Sequence, residues 1–198
     1  MIPGFRYAAA ALLLCGLLPS VAVAHKLREQ GAVVAIANTS LTVMPGRDWN
    51  RLDGNIGKHT ETWTLDGSQL NDLTFFAGIE PGKPLARERS KKRDPLPKFT
   101  ASTLLVELPE LFEATYRSAK QIADFRVTDV QPQPFLGREG VVFAYEYVDG
   151  DELTRMGEAH AAIIDGRLYM ISFDAPRLHY FARGIEDARA IMRSARLP

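Results

Sequence analysis

The chain has 198 residues, 46% of them apolar and 24% charged, and its 24 basic side chains are matched by 24 acidic ones. That is enough apolar material for one packed domain, and the neutral balance argues against nucleic acid or a strongly acidic partner. A single cysteine, Cys15, excludes an internal disulfide framework.

The first 24 residues stand apart from the rest. Arg6 and the amino terminus supply a weak positive end, and Tyr7 to Leu18 forms an apolar run of 12 residues. Pro19-Ser20 breaks that run, and Ala22-Val-Ala24 puts small side chains where a signal peptidase cuts. This pattern reads as a secretory signal peptide at 1–24, leaving 25–198 as a single α/β domain, periplasmic or secreted. The run is short for a bilayer span, so a retained anchor is the rival reading. Leu12-Leu-Leu-Cys-Gly16 resembles the lipid-attachment motif of bacterial lipoproteins, with Leu14 where that motif places a small residue. Lipid anchoring through Cys15 is therefore the alternative localisation. Membrane contact is expected only if Cys15 is lipidated or the signal is retained.

Ala32 to Ala37 and Ser40 to Met44 read as short strands joined about Asn38-Thr-Ser40, residues that tolerate tight turns. Arg47-Asp-Trp-Asn-Arg51 places Trp49 at the start of a polar loop, where it either caps one end of the core or offers a partner a flat surface. Glu61 to Asp66 alternates and ends at Gly67, and Leu70 to Phe76 follows as a second strand. Gly78 to Pro97 is rich in proline and contains the run Arg87-Glu-Arg-Ser-Lys-Lys-Arg93. It predicts a long basic loop at 78–97, exposed and mobile. Arg87, Arg89, Lys91, Lys92 and Arg93 form a candidate contact for lipid phosphate, peptidoglycan or a protein. The plain alternative is a solvated loop.

A helix is predicted over Leu105 to Ala123, with Pro109 in its first turn and Leu108, Leu111, Phe112, Thr115, Tyr116 and Ala119 at helical spacing. Four strands follow, at Phe125 to Val130, Gly140 to Val148, Ala159 to Asp165 and Arg167 to Phe173. Asp165-Gly166 joins the last two as a hairpin. Pro132 and Pro134 put 131–139 at a sheet edge or in a loop, with Phe135 folding back onto the core. Val141, Phe143, Tyr145 and Tyr147 share one strand face, the usual way to cover a helix. Past Pro176, Leu178, Phe181, Ile185, Ala188, Ile191, Met192 and Ala195 again keep helical spacing, with Gly184 suggesting a kink or a break into two pieces. The fold class is α+β, a central antiparallel sheet of about six or seven strands packed with helices.

Chemistry is sparsely marked. The histidines, His25, His59, His160 and His179, form no metalloprotease pair. A terminal His25 would need a second histidine to hold copper. His179-Tyr180, beside Arg177, is a candidate binding cluster, with packing of the turn as its alternative. Asp149, Asp151 and Glu152 could hold calcium loosely, but they lack the twelve-residue loop pattern and read better as a solvated turn. Ser172 and Ser194 lack a nucleophile-elbow context, and no phosphate loop is present. No catalytic residue, metal or cofactor is expected.

The order of elements does resemble a known family. Trp49 in a short turn, the helix from Pro109, the four strands and the closing Ala175-Pro-Arg-Leu-His-Tyr-Phe181 with its helix look like the Mog1/PsbP-like α/β/α sandwich. That fold also occurs in exported bacterial proteins of unknown role, and the resemblance covers roughly 33–197. It implies a scaffold or binding function and transfers no functional residue; the basic insertion at 78–97 departs from its shortest members. The leading expectation is a non-enzymatic exported domain binding an unidentified protein or cell-envelope component through a loop or a sheet–helix cleft. A small apolar ligand or lipid carrier is the alternative, favoured by an apolar cavity. A hydrolase or metal-dependent enzyme comes third, favoured if His160, His179 and carboxylates converge.

Overall fold

A computed structural model of the chain describes residues 26–54, 56–88 and 95–198. Residues 1–24, expected to be a signal peptide and including Cys15, lie outside the described residues, as do His25, Arg89, Lys91, Lys92 and Arg93.

The elements follow in chain order as β1 (Lys26–Arg28), β2 (Val34–Ala35), β3 (Thr42–Val43), β4 (Trp49–Arg51), β5 (Thr60–Thr64) and β6 (Asp72–Ile79). Next come α1 (Leu108–Lys120), β7 (Phe125–Pro132), β8 (Gly140–Val148), β9 (Thr154–Ile164), β10 (Arg167–Pro176) and α2 (Tyr180–Ser194). β2 and β3 pair alone, as the expected hairpin, and its turn sets Ala37 and Asn38 in the left-handed region. A single 3-10 turn at Leu105–Glu107 leads into α1, where the Glu107 carboxylate accepts the Leu104 N–H at 2.8 Å. Pro109 sits in the first turn, and the helix stops at Gln121 in a left-handed cap.

The remaining strands form one antiparallel sheet of eight, in the order β1-β4-β5-β6-β10-β9-β8-β7. The fold class expected from the sequence holds, with one strand more than the upper expectation. The two strands of this sheet that were not expected are β1 and β4, three residues each, too short to show a period. Trp49 opens β4 opposite Arg28 instead of starting a loop. β9 begins at Thr154, five residues before its apolar part, because its polar start pairs with both β8 and β10.

α2 and α1 pack on opposite sheet faces. Under α2 lie Trp49, Trp63, Leu73, Phe75, Ile171 and Phe173. Gly184 does not break this helix, which runs on to Ser194: a Cβ there would come within 2.6 Å of the Phe173 ring, so glycine lets α2 close on the sheet. Under α1 lie Phe76, Phe125, Phe143, Tyr145, Leu168 and Met170. Phe112 of α1 enters this layer at 5.5 Å from Phe143 and 5.0 Å from Tyr145 between ring centroids. Such pairs add about 0.5–1.5 kcal/mol each to the area they bury. Tyr145 in turn lies over Gly157, where any Cβ would overlap its ring.

The stretch between β6 and α1 differs from a plain exposed loop. β6 runs on through Ile79, and Leu85, Leu96 and Phe99 are buried. Pro84 and Lys98 form a bridge, and the Phe99 N–H donates to the Lys83 carbonyl at 3.0 Å. The described ends of the stretch are thus tied to the α1 side of the core. Because α1 contacts the β7 end of the sheet, these ends, with Leu52 and Ile56, cover the β5–β6 end.

Candidate functional site

That division leaves a cleft of about 340 Å³ between the C-terminal half of α1 and strands β5 and β6. The sheet contributes Thr62, Asp72, Thr74 and Phe76; the helix contributes Thr115, Tyr116, Ala119 and Lys120. Leu52, Ile56, Leu85 and Arg87 close the loop side. The lining is mostly apolar. A smaller pocket of about 210 Å³ shares Ser68, Asp72 and Lys120 with the cleft and adds Tyr147, Asp149, Asp151 and Arg155.

Asp72 stands where the two spaces meet, and directly across from it on β10 is Asp174. Asp174 is fully buried and bonded through both carboxylate oxygens. Its Oδ1 accepts from Tyr147 Oη at 2.6 Å and from Arg155 Nε at 2.9 Å, and its Oδ2 accepts from Tyr116 Oη at 3.4 Å. Arg155 is itself spent, donating through Nη1 to the Gln69 carbonyl at 2.8 Å and through Nη2 to the Asp174 carbonyl at 3.3 Å. Asp72 Oδ1 is buried and has no hydrogen-bond partner among the described residues. Burial, and next the Asp174 charge, push the Asp72 carboxyl up to about 7, against the pull of Lys120 and Arg155. Burial likewise pushes the Tyr116 and Tyr147 hydroxyls up, and Asp174 adds to both. Lys120 Nζ rests over the Tyr116 ring, 4.2 Å from its centroid.

Two further charge clusters lie on the α2 side, and both are internally paired. Glu158 accepts from Arg189 Nε at 3.0 Å and lies 3.0 Å from His160 Nε2. Burial pushes its carboxyl up, but the His160 and Arg189 bonds outweigh that and hold it at about 2. Glu61 accepts from Arg28, from Trp63 Nε1 at 2.7 Å and from the Ala37 N–H at 2.9 Å. Burial raises its carboxyl, and these bonds, led by Trp63, bring it below the ordinary carboxylate value.

The residues singled out in the sequence do not assemble into one site. Trp49 is fully buried in the α2-side core, so it has no face to offer a partner, and the core reading of this residue replaces the binding one. Arg87 is exposed at the edge of the cleft. His179 is exposed before α2, its ring edge-on to Tyr180 at 5.2 Å between centroids. Tyr180 packs half-buried against the α2-side core. His160 is engaged with Glu158 and lies near Phe135, a different neighbourhood from His179. Asp149 Oδ1 caps its own turn by accepting the Asp151 and Leu153 N–H groups.

The cleft cluster of Asp72, Asp174, Arg155, Tyr116 and Tyr147 went unread in the sequence because four strands and a helix supply it. One local signal was available. Asp174 interrupts the apolar run Ile171-Ser-Phe-Asp-Ala175, and an acid in such a strand needs a buried partner.

No family model and no curated protein sequence matches the chain. Solved structures do. The chain is similar to the cyanobacterial PsbP of Synechocystis sp. PCC 6803, at 11% identity and a TM-score of 0.57, with 93% of this chain and 99% of that one covered. The Ran-binding protein Mog1p of Saccharomyces cerevisiae matches at 10% identity and a TM-score of 0.45, over 88% of this chain and 96% of its own. A Pseudomonas aeruginosa protein of unknown function, a putative regulator, matches at 9% identity and a TM-score of 0.43, over 81% and 94%. The last two scores are too low to carry an argument. The PsbP match shows the fold: the chain is a Mog1/PsbP-like α/β/α sandwich, as its order of elements implied.

Proposed function

We propose that the chain is an exported, non-enzymatic binding domain that receives a cell-envelope component or partner protein in the cleft between α1 and the β5–β6 end of the sheet. The cleft is the observation that carries this reading. α1 packs toward the β7 end, the loops complete the other end, and a concave surface remains, mostly apolar by area and set with Thr62, Asp72, Thr74 and Lys120. Export rests on the pattern at 1–24, and no helix among the described residues is long and apolar enough to cross a membrane. The apolar lining favours a second reading within the same cleft, a small apolar ligand or lipid being carried. His160 and His179 sit in separate clusters, so the constellation that would favour a hydrolase is not assembled among the described residues.

A photo-crosslinking amino acid in place of Ala119, inside the cleft, tests this in cells that export the protein. A second one, in place of Asp165 in the exposed β9–β10 turn, serves as control. The reading expects a discrete adduct from position 119 and none from 165. No adduct at 119, or equal adducts at both, contradicts it.

A further inference from the structure

We infer that the cleft takes a single-chain amphiphile with an anionic head, its tail along the apolar walls and its head in a basic pocket beyond Arg87. This deepens the cleft reading above and rests on it.

A second space, of about 520 Å³, adjoins the cleft and shares Ala86 and Arg87 with it. Both spaces open on the α1 side of the sheet. Phe76 lines the cleft and Ile79 the second pocket, and both residues belong to β6 and to the layer under α1. What divides the two spaces is thin. The Arg87 N–H donates to the Ile56 carbonyl, and a Cβ on Gly57 would come within 2.9 Å of the Leu85 carbonyl. One molecule can therefore occupy both, crossing at Arg87.

The two spaces differ in chemistry. Leu52, Ile56, Phe76, Leu85 and Ala119 suit an alkyl tail, each buried CH₂ tightening binding about fourfold. The second pocket is basic: Lys58, Lys83, Arg87 and Lys98 line it with only Glu80 and Glu88 as acids. Both acids already have partners, Glu80 in Arg167 at 3.3 Å and Glu88 in the Leu96 N–H at 3.2 Å. The four cations come from three separate stretches of chain, so the fold gathers them. The Pro84–Lys98 bridge brings Lys98 beside Lys83, and like charges set together across a bridge cost stability that an anion between them offsets.

The head group follows from this excess. An anion meets ammonium groups and a guanidinium able to donate two parallel bonds. A cationic head would be repelled, and an uncharged one would leave the basic pocket unused. Asp72, the acid of the cleft, begins β6 and so stands roughly 20 Å from Ile79, at about 3.3 Å per residue.

Calorimetry at pH 7.5 and low ionic strength, on protein purified from cells that export it, compares octyl phosphate, octanol, octylamine and inorganic phosphate. Octyl phosphate is expected to bind about tenfold or more tighter than each of the other three. That margin is expected to shrink below about threefold in the double variant Lys58→Gln, Lys98→Gln, whose altered side chains are both exposed. It is expected to persist in Arg138→Gln, an exposed cation between β7 and β8. Octanol or octylamine binding as tightly as octyl phosphate overturns the anionic head and leaves the cleft reading standing. Inorganic phosphate binding as tightly overturns the amphiphile, because the tail then adds nothing. A margin that survives the double variant, or one lost equally in Arg138→Gln, overturns the basic pocket as the seat of the head. If none of the four probes binds, both readings fall.

Discussion

Asp72 and Asp174 occupy opposed positions on neighbouring strands, yet the Asp174 carboxylate is bonded through both oxygens and Asp72 has a bare one. Like charges directly across a ladder repel, and here Asp174 is fully and Asp72 partly taken out of water. The fold resolves the conflict unequally. Arg155 and two tyrosine hydroxyls go to Asp174, and Asp72 keeps its proton to near neutrality.

The unequal pair sets a pH dependence. Asp72 is raised to about 7 in the folded chain, against about 3.9 for a free aspartate. Between those values the native state holds a proton that the unfolded state has lost, so this group's contribution to stability is greatest below about pH 4 and declines as pH rises toward 7. Each unit of the interval is worth about 1.4 kcal/mol before relaxation reduces it. Asp72→Asn should flatten this slope and stabilise the protein at pH 8. Urea melts from pH 4 to 8 check this, and a variant weaker than the parent at pH 8 contradicts it.

Arg155 is the counterion that makes the buried pair tolerable. Arg155→Met leaves Asp174 with its charge and without its guanidinium, which should cost about 3–5 kcal/mol at pH 7. Adding Asp174→Leu to that variant removes the stranded charge and should recover most of the loss. A double variant no better than the single one would show that the loss arises elsewhere.

Glu158 gives the opposite slope. Its carboxyl is held at about 2, below the ordinary value of 4.5, so its contribution is complete above pH 4.5 and disappears as pH falls toward 2. Glu158→Gln should cost about 1–3 kcal/mol at pH 6 and very little at pH 2. Melts at the two pH values compare them directly.

Tyr145 and Gly157 pair across β8 and β9, with the ring filling the space a side chain would need. Gly157→Ala should therefore cost about 1–3 kcal/mol from overpacking, although alanine suits a strand better than glycine. In a Tyr145→Leu background the same change should cost less, and thermal melts of the four proteins measure the difference. Equal costs in both backgrounds would remove the ring as the cause.

Much of the architecture was legible because periodicity survives in long elements. The alternation of Val141, Phe143, Tyr145 and Tyr147 placed β8, Asp165-Gly166 placed the β9–β10 hairpin, and the spacing from Leu108 to Ala119 placed α1. Short elements hid for the converse reason: β1 and β4 carry no period and exist through pairing, with Arg28 bonded to Glu61 on β5. Gly184 was misleading because a glycine looks the same in sequence whether it breaks a helix or admits a ring. The cleft was invisible for a deeper reason. Asp72 reads as the polar start of a strand and Asp174 as its polar end, and only the β6–β10 register sets them face to face. The basic run at 87–93 attracted attention because its charges are adjacent in the chain, whereas the cleft cluster draws on five elements.

The cleft itself is tested most directly by amide chemical shifts of the protein during titration with octanol, a short apolar probe suited to its walls. The account predicts that the largest changes fall on Asp72, Thr74, Ala119 and Lys120 and saturate together. Changes centred instead on the α2 face around His160 and Arg193, or none that saturate, would contradict it.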